Sequence, residues 1–376
     1  MPRRKVRVGA IGAGWWATTN HFPLLVDDDR VELVGVSSPG RDHLGDVQEQ
    51  FGFQHVTEDY RELLEWDLDG VVVATPHHLH HEHAAAALDK GLTVLCEKPM
   101  TLSAVDAWDM VDRANRTGGE LIVAYGWNYK SFLEGAASLL RSPGVGELEF
   151  VSARMASPTR DFFSSLHNSV PIVFGLNGVG PDPTTWQDPQ RGGGYAHGQL
   201  THLFGMLFSL TDLRAEHVLA RTSRAHSDVD LYDAALVGFT NGAHGVVSGA
   251  GTLPDDDKFQ LDIQLYGSEG VLLIDLERER VELRRHDGKR ERLDIRDGEG
   301  DYSCEGPVRR FVDLAGGEGG DNLSSGDVGA RAVEALEALK ISASGPVPSM
   351  SAVALNLRLA RDRATADHEE GDHADS

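Results

Sequence analysis

The chain is organised around residues 93–100, which read Thr-Val-Leu-Cys-Glu-Lys-Pro-Met. Thr93 to Cys96 favour β-strands, and the run has the length of a short buried strand. Pro99 has no N–H to donate to a central sheet, so we predict that the strand ends at Lys98. Ligands of an open parallel sheet bind at the carboxyl ends of its strands. The surrounding motifs therefore favour a Lys98 in a ligand crevice over a lysine on the surface.

A glycine-rich turn follows the first predicted strand. Residues 5–11 are a short apolar strand and lead into residues 12–17, Gly-Ala-Gly-Trp-Trp-Ala, which open a helix. In this dinucleotide-binding fingerprint, Gly12 permits the tight turn and Gly14 lets the backbone approach a pyrophosphate. The helix N-terminus offers further N–H groups to the phosphates. We therefore predict a dinucleotide site that includes Gly12, Gly14, Trp15 and Trp16.

The end of the second predicted strand, residues 31–37, bears on the choice of dinucleotide. An NAD-specific enzyme usually carries an acidic residue there to hold the ribose 2′-hydroxyl. Here the chain reads Ser37, Ser38, Pro39, Gly40 and Arg41 instead. Serines and an arginine suit a 2′-phosphate, although a plain loop with Arg41 in water explains the pattern equally well. The sequence predicts NADP or NAD as cofactor, with a slight preference for NADP.

A histidine run follows the third strong strand, residues 69–74. After Thr75 and Pro76 come residues 77–83, His-His-Leu-His-His-Glu-His. The four-residue spacing of His77 and His81 permits two metal ligands on one helical face, but no Cys or carboxylate set with metal spacing accompanies them. We therefore predict no metal site. The run is expected to open a helix over residues 83–90, with one or two histidines facing the cofactor.

The order of predicted elements divides the chain into two domains. Strands and helices alternate up to about residue 125, which predicts a doubly wound parallel sheet in an α/β Rossmann domain over residues 1–125. Beyond it, clustered strands follow one apolar helix, with an Asn241-Gly242 hairpin signal among them. This predicts an α+β domain with a large, mostly antiparallel open sheet over residues 126–350. The acidic tail, residues 364–376, is expected to be disordered.

Composition excludes several classes of function. The chain of 376 residues has 35 Lys and Arg against 59 Asp and Glu, a formal charge of -24. This balance argues against binding nucleic acid or an anionic membrane, because both need a positive field. Two cysteines cannot build a disulfide framework or a Cys-rich zinc site. No apolar run approaches the roughly 18 residues of a membrane span, and we expect a cytoplasmic protein.

These features together resemble the glucose-fructose oxidoreductase / inositol dehydrogenase / rhizopine catabolism (Gfo/Idh/MocA) family of NAD(P)-dependent oxidoreductases. The resemblance reaches to about Met350 and rests on an ordered set of motifs: Gly12-x-Gly14-x-x-Ala17, Ala74-Thr75-Pro76-x-x-x-His80, Glu97-Lys98-Pro99, and Gly192-Gly193-Gly194 followed by His202. It implies hydride transfer between a nicotinamide and a hydroxyl-bearing carbon, or the corresponding carbonyl, of a sugar, sugar derivative or cyclitol. It also implies a homodimer or homotetramer.

The resemblance also assigns roles to residues. Lys98 and His202 are the catalytic residues, and the Lys98–Pro99 peptide is expected to be cis. The cofactor site extends to a second group of residues: Ser37, Ser38, Arg41, Thr75, Pro76, His80, Glu97 and Lys98. The candidates for the substrate site are Lys98, Trp127, Asn128, Trp186, His197, Gln199 and His202. Aromatic faces stack on sugar C–H surfaces, but Trp127 and Trp186 fit a buried core equally well.

One departure from the family pattern concerns the catalytic histidine. The family commonly has an Asp four residues before it, whereas this chain has Gly198, flanked by His197 and Gln199. Three alternatives follow. His202 acts without an orienting carboxylate, one of the flanking residues takes over part of its role, or the chemistry is slow or lost. The last alternative is a cofactor-binding sensor, but the retained Lys98 and His202 favour an enzyme.

Overall fold

The computed structural model describes residues 4–164 and 180–345. Among these residues, six parallel strands form the first sheet, in the order β3-β2-β1-β4-β5-β6. The strands are β1 (Val6–Ile11), β2 (Val31–Ser37), β3 (His55–Thr57), β4 (Gly70–Val73), β5 (Thr93–Cys96) and β6 (Leu121–Val123). The chain order reverses between β1 and β4, and this arrangement confirms the predicted doubly wound sheet.

The described part of the chain also forms an eight-stranded sheet, in the order β14-β13-β12-β11-β7-β10-β9-β8. Its strands are β7 (Leu148–Ala156), β8 (Ala215–Ser223), β9 (Tyr232–Phe239), β10 (His244–Ala250), β11 (Gln260–Gly267), β12 (Gly270–Asp275), β13 (Arg280–Arg285) and β14 (Arg290–Asp294). Strands β7 and β10 pair in parallel, and the other pairs are antiparallel. The predicted mostly antiparallel sheet is confirmed, and Asn241-Gly242 joins β9 to β10.

Helices cover the first sheet and one face of the second. They are α1 (Phe22–Val26), α2 (Arg41–Phe51), α3 (Tyr60–Leu63), α4 (His80–Asp89), α5 (Ala104–Thr117), α6 (Ser131–Arg141), α7 (Arg160–Phe163), α8 (Pro183–Trp186), α9 (Thr201–Leu210), α10 (Glu305–Ala315) and α11 (Gly326–Ser344). Local capping fixes several boundaries. The Ser103 side chain accepts a hydrogen bond from the N–H of Asp106 at the start of α5, and Gly118 ends that helix with φ 75°.

One continuous apolar cluster joins the two sheets. It includes Val71 and Val94 of the first sheet, Leu203 of α9, and Ile263 and Leu272 of the second sheet. Helix α11 contacts α5 on one side and α9 and β8 on the other. The carboxyl edge of the first sheet is therefore held against α9, which carries the predicted catalytic histidine.

The C-terminal end of α9 is capped by a side chain from α11. Arg331 donates hydrogen bonds to the carbonyls of Phe208, Thr211 and Leu213, at 3.0–3.1 Å. These carbonyls have no partner inside the helix, so the guanidinium both satisfies them and complements the helix dipole. The C-terminal end of α9 is thus fixed to α11.

Six of the described elements escaped the sequence prediction, namely α2, β3, α6, α7, α8 and β14. Helix α2 carries charged residues and a glycine, and β14 reads Arg-Glu-Arg-Leu-Asp without an apolar alternation. Strand β14 is an edge strand that is largely exposed to solvent, so it needs no hydrophobic face. Helix α6 packs against β12, β13 and β14, and only tertiary contact distinguishes its apolar run from a loop.

The helix of the histidine run begins earlier than the sequence predicted. A turn of 3₁₀-helix over His77–Leu79 precedes α4, so the helix begins at His80, whereas the sequence predicted His83. Pro76 sets this earlier start because its fixed φ of -55° leads directly into the turn. The predicted disordered tail, residues 364–376, lies outside the described residues, as do residues 165–179. Within residues 4–164 and 180–345, no helix combines the length and apolarity of a membrane span.

The second sheet has one face without covering helices among the described residues. This open face exposes six large apolar side chains: Phe150, Leu219, Tyr232, Leu236, Val246 and Tyr266. Leu236 lies directly opposite both Leu219 and Val246 in the sheet register, and Phe150 lies opposite Tyr266. Contiguous exposed apolar groups of this kind mark interaction surfaces.

Candidate active site

The glycine-rich turn has the geometry that a dinucleotide needs. Gly12 has φ 96°, and a Cβ there would lie 2.6 Å from the carbonyl oxygen of Ala74. Only glycine fits this tight turn. A Cβ on Gly14 would meet no atom within 4 Å, so the backbone of Gly14 faces open space that a pyrophosphate can enter. The turn therefore fits the predicted cofactor.

A cavity of about 170 Å³ lies beside this turn, at the carboxyl ends of β1, β4 and β5 and below α8. Its lining contains nine of the residues predicted for the cofactor or substrate: Gly14, Trp15, Trp16, Thr75, Pro76, His80, Glu97, Lys98 and Trp186. Residues from widely separated parts of the sequence thus meet at one point, as the parallel sheet predicts.

Glu97 is the buried centre of a hydrogen-bond network below the cavity. Its Oε1 accepts hydrogen bonds from Trp16 Nε1 at 2.7 Å and from His21 Nε2 at 2.8 Å, and its Oε2 accepts the backbone N–H of Lys98 at 3.0 Å. Burial alone raises the pKa of this carboxyl. The hydrogen bond from His21 and the charges of His21 and Lys98 outweigh burial and lower the net pKa, so Glu97 is a carboxylate.

Among residues 4–164 and 180–345, no carboxylate forms an ion pair with the Lys98 ammonium. Its Nζ donates to the carbonyl oxygen of Gly198 at 3.0 Å and lies 5.3 Å from the ring centroid of Trp186. Burial lowers the pKa of Lys98, and the charge of Glu97 opposes that shift. The Lys98–Pro99 peptide is cis, as the resemblance implied. The lysine therefore presents its ammonium inside the cavity while the backbone is fixed by Glu97.

His202 lies in α9 close to Lys98. Three aromatic rings surround its imidazole, with centroids 4.9 Å away for Tyr302, 5.1 Å for Trp127 and 6.0 Å for Tyr125. Burial lowers the pKa of His202 well below 6.5, and the charge of Lys98 lowers it further. The imidazole is thus neutral at pH 7, which is the state that a general base requires.

The structure explains what replaces the missing aspartate at position 198. A Cβ on Gly198 would lie 2.6 Å from Cζ of Phe163 and 3.2 Å from the ring of Trp186. Aromatic rings therefore fill the space of the absent side chain. The carbonyl of Gly198 accepts the hydrogen bond from Lys98. A neutral carbonyl therefore contacts the ammonium at the position where the resemblance implied an aspartate.

The two residues that flank Gly198 do not line the cavity. His197 Nδ1 lies 3.3 Å from Nζ of Lys340 in α11. Burial, followed by the charge of Lys340, lowers the pKa of His197 to about 3, so this histidine is neutral. Gln199 is half-buried in the same π-helical turn, Ala196–Leu200. His197 thus faces α11, away from Lys98.

Trp127 and Asn128 are buried beside the site and do not line the cavity. The indole N–H of Trp127 donates to the carbonyl of Gly300 at 2.8 Å. The Asn128 amide donates to the carbonyls of Gly205 and Leu323 at 3.2 and 3.0 Å. Both side chains hold neighbouring segments in place, and Trp127 supports the ring of His202.

The residues predicted for the 2′-phosphate lie apart from the cavity, at the end of β2. Ser37 and Ser38 are buried. The side chain of Arg41 is 90% exposed, and its Nε lies 3.3 Å from Oε2 of Glu58. This cluster is connected to the glycine-rich turn because the N–H of Gly12 donates to the carbonyl of Ser37.

Sequence reasoning missed His21, Glu58, Lys340 and Cys304. His21 is the last residue of the π-helical turn Ala17–His21, which follows the glycine-rich turn. Its position in the helix after the dinucleotide-binding fingerprint could have identified it from the sequence. Ligand atoms of His21, Glu97 and Cys304 lie within 4.8 Å of one another. A metal does not suit this group, because Glu97 already accepts two hydrogen bonds and burial raises the pKa of the Cys304 thiol.

Comparison with known proteins connects this geometry to a family. Residues 6–125 match the oxidoreductase family with an NAD-binding Rossmann fold, Gfo/Idh/MocA, and residues 136–273 match the Gfo/Idh/MocA C-terminal domain. Glucose-6-phosphate 3-dehydrogenase of Bacillus subtilis is 33% identical over 38% of this chain and 40% of its own length. D-xylose 1-dehydrogenase (NADP⁺) of Haloarcula marismortui is 27% identical over 51% of this chain and 50% of its own. The chain thus spans half or less of these curated relatives.

A solved structure resembles the whole fold. Levoglucosan dehydrogenase, in complex with NADH and L-sorbose, superposes with a TM-score of 0.70 at 18% identity. The match covers 91% of this chain and 97% of the other. At this level of identity, the likeness shows the shared two-domain fold.

The filled space at position 198 leads to a prediction. Gly198→Asp should destabilise the protein, because the new side chain overlaps Phe163, and overpacking of this kind costs about 1–3 kcal/mol. The double variant Gly198→Asp, Phe163→Ala should recover part of this loss. Thermal unfolding of the three variants, with Phe163→Ala as the matched control, measures the coupling. Additive losses in the double variant would contradict the described packing.

Proposed function

The chain belongs to the Gfo/Idh/MocA oxidoreductase family, and from that premise we propose that it is an NAD(P)-dependent dehydrogenase or reductase. It transfers a hydride between the nicotinamide and a hydroxyl-bearing carbon, or the corresponding carbonyl, of a sugar, sugar derivative or cyclitol. One observation carries this function: the Lys98 ammonium lines the cavity beside the glycine-rich turn, and a buried, neutral His202 lies close enough for the charge of Lys98 to lower its pKa. Relatives named as sugar dehydrogenases support the substrate class.

Each group of residues has a distinct task. The open backbone face at Gly14 and the helix N-terminus that follows it would hold the pyrophosphate through N–H groups, while the Gly12 N–H, bound to Ser37, fixes the turn. Thr75, Pro76 and His80 line the cavity and would hold the nicotinamide part of the cofactor, which would supply or accept the hydride. Residues 1–125 thus bind the cofactor, and residues 126–350 bind substrate and form the subunit contacts.

Lys98 and His202 act on the substrate oxygen. The Lys98 ammonium donates a hydrogen bond to this oxygen and stabilises the negative charge that develops on it. His202 accepts the hydroxyl proton in the oxidative direction and returns it in the reductive direction. Trp186 offers its ring face to the apolar side of a sugar, next to the ammonium of Lys98. The substrate is thus held by one polar and one apolar contact.

A second candidate function is a cofactor-binding sensor that does not turn over substrate. It is favoured by a specific observation, namely that Gly198 offers a carbonyl where the family commonly has a carboxylate. A sensor would keep the dinucleotide site and lose the chemistry. The two functions therefore differ in turnover and agree in cofactor binding.

A substrate panel distinguishes the two functions. The purified protein is incubated with NADP or NAD and a series of neutral sugars, sugar derivatives and cyclitols, and the absorbance of the reduced nicotinamide is followed. We expect turnover with at least one polyol, because the chain retains both Lys98 and His202. Tight binding of cofactor without turnover across the panel would instead support the sensor.

The two catalytic side chains should affect turnover more than binding. His202→Ala should lower kcat by about 10²–10⁴-fold, the usual span for a general base, and the loss should shrink at high pH, where hydroxide replaces the imidazole. Lys98→Ala should also lower kcat greatly, with dinucleotide binding mostly retained. Steady-state kinetics and calorimetry measure these effects. Lys90→Ala removes an exposed lysine and serves as the control.

The pH profile gives an independent check on His202. Its pKa lies well below 6.5, so the imidazole stays neutral as the pH falls from 8 to 6.5 and protonates only below that range. kcat of the wild type should therefore not decline through this group above pH 6.5. Near-full turnover of both alanine variants would place the catalytic groups elsewhere in the cavity.

The cofactor preference follows from Ser37, Ser38 and Arg41. We expect NADP to bind more tightly than NAD. Arg41→Ala should weaken NADP by about tenfold, since a charge-assisted hydrogen bond contributes about 1.5–3 kcal/mol, and should leave NAD unchanged. Calorimetric titration with both dinucleotides measures the difference. Equal affinities in the wild type, or tighter binding of NAD than of NADP that the substitution leaves untouched, would contradict the preference.

The open face of the second sheet leads to a prediction about assembly. We expect a homodimer or homotetramer in which these faces pair, because closed symmetric assemblies bury self-complementary apolar patches. Leu236→Asp should dissociate the assembly, whereas the same change at Val105, an even more exposed apolar residue on α5, should not. Light scattering at micromolar concentration measures the mass. A monomeric wild type would contradict the assembly.

A further inference from the structure

Glu58 lies beside the part of the site where the adenosine ribose is expected. Strand β3 ends at Thr57, which pairs with Ser37 at the end of β2. Glu58 is the next residue, so its side chain extends over the same edge of the sheet as Ser38 and Arg41. In a Rossmann domain the ribose 2′ position lies at the end of this second strand.

The carboxylate of Glu58 already occupies two donors of this subsite. Its Oε1 accepts the backbone N–H of Gly40 at 3.0 Å, and its Oε2 lies 3.3 Å from Nε of Arg41. Gly40 is the N-cap residue of α2, has φ 94° and provides no side-chain cap. Glu58 therefore supplies the negative charge that the start of α2 favours. An anion from another element sits where a 2′-phosphate would bind.

We propose that Glu58 sets the cofactor preference by competing with the 2′-phosphate for Gly40 and Arg41. NADP must displace the carboxylate, whereas NAD binds with its 2′-hydroxyl beside it. This inference rests on the proposed function as an NAD(P)-dependent oxidoreductase. Glu58 limits the preference for NADP and has no part in the choice of substrate.

Exposure makes the displacement feasible. The side chains of Arg41 and Glu58 are 90% and 48% exposed, and ion pairs in water are weak because solvent screens them. A phosphate monoester carries a charge of about -1.5 to -2 at neutral pH. It attracts Arg41 more strongly than a carboxylate does, but it is repelled by Glu58 as long as that carboxylate remains nearby. The wild-type protein should therefore use both dinucleotides, with a moderate bias.

The test is calorimetric titration of NADP and NAD into the wild type, Glu58→Gln, Arg41→Ala and the double variant. Glu58→Gln keeps an oxygen that can accept the Gly40 hydrogen bond and removes the charge. We expect it to tighten NADP by about tenfold, the effect of removing a unit charge about 5 Å from a doubly charged group in water. NAD should change by less than about threefold. In the Arg41→Ala background the gain for NADP should shrink, because Arg41 is the group that Glu58 occupies.

Glu49→Gln is the matched control, because Glu49 is an exposed carboxylate on α2, the helix that begins at Arg41, and its loss changes the net charge equally. If Glu49→Gln changed the affinity for NADP as much as Glu58→Gln does, the effect would come from the net charge of the protein, and the proposed competition by Glu58 would be wrong. An unchanged ratio of NADP to NAD affinity in Glu58→Gln would overturn this inference alone. Failure of the wild type to bind either dinucleotide would overturn the proposed function as well.

Discussion

The buried carboxylate of Glu97 is the constraint on which the site depends. A carboxylate in a closed interior is costly unless hydrogen bonds satisfy it. Trp16 and His21 provide two of these bonds from the segment after the glycine-rich turn, and the backbone of Lys98 provides the third. The end of β5 is therefore tied to the turn that binds the pyrophosphate. Removing either aromatic donor would leave charge unsatisfied and release the turn from the lysine.

Much of this arrangement follows from local patterns in the sequence. Three features can be predicted from short stretches of the sequence. Strand β5 follows from its strand propensity, and the tight turn at Gly12 follows from its glycine. The position of Lys98 in the crevice follows from the topology of a parallel sheet. The unpredicted features depend on contacts between distant segments. Phe163 fills the space beside Gly198, and Glu58 reaches Arg41. Neither contact has a local signal, because each one joins elements that meet only in the folded chain.

The position of His202 shows how distant contacts complete a local motif. The apolar helix around it was predicted, but its orientation is set by Arg331, which caps the C-terminal end, and by Trp127, which packs against the imidazole. Arg331 comes from α11, more than a hundred residues later in the chain. The sequence therefore identified the histidine, and the tertiary structure supplies the surroundings that lower its pKa.

The charges of the site limit how the proton moves. Lys98 and His202 share a buried region in which two positive charges repel, and each lowers the tendency of the other to be protonated. The carbonyl of Gly198 and the face of Trp186 attract the ammonium, while the packing of Phe163 leaves no room for a second carboxylate. In the proposed mechanism, uptake of a proton by His202 is favoured only while negative charge develops on the substrate oxygen. Because no aspartate lies at position 198, the base strength of His202 would then depend on the substrate itself, and a protonated His202 would release its proton once the oxygen has become a carbonyl.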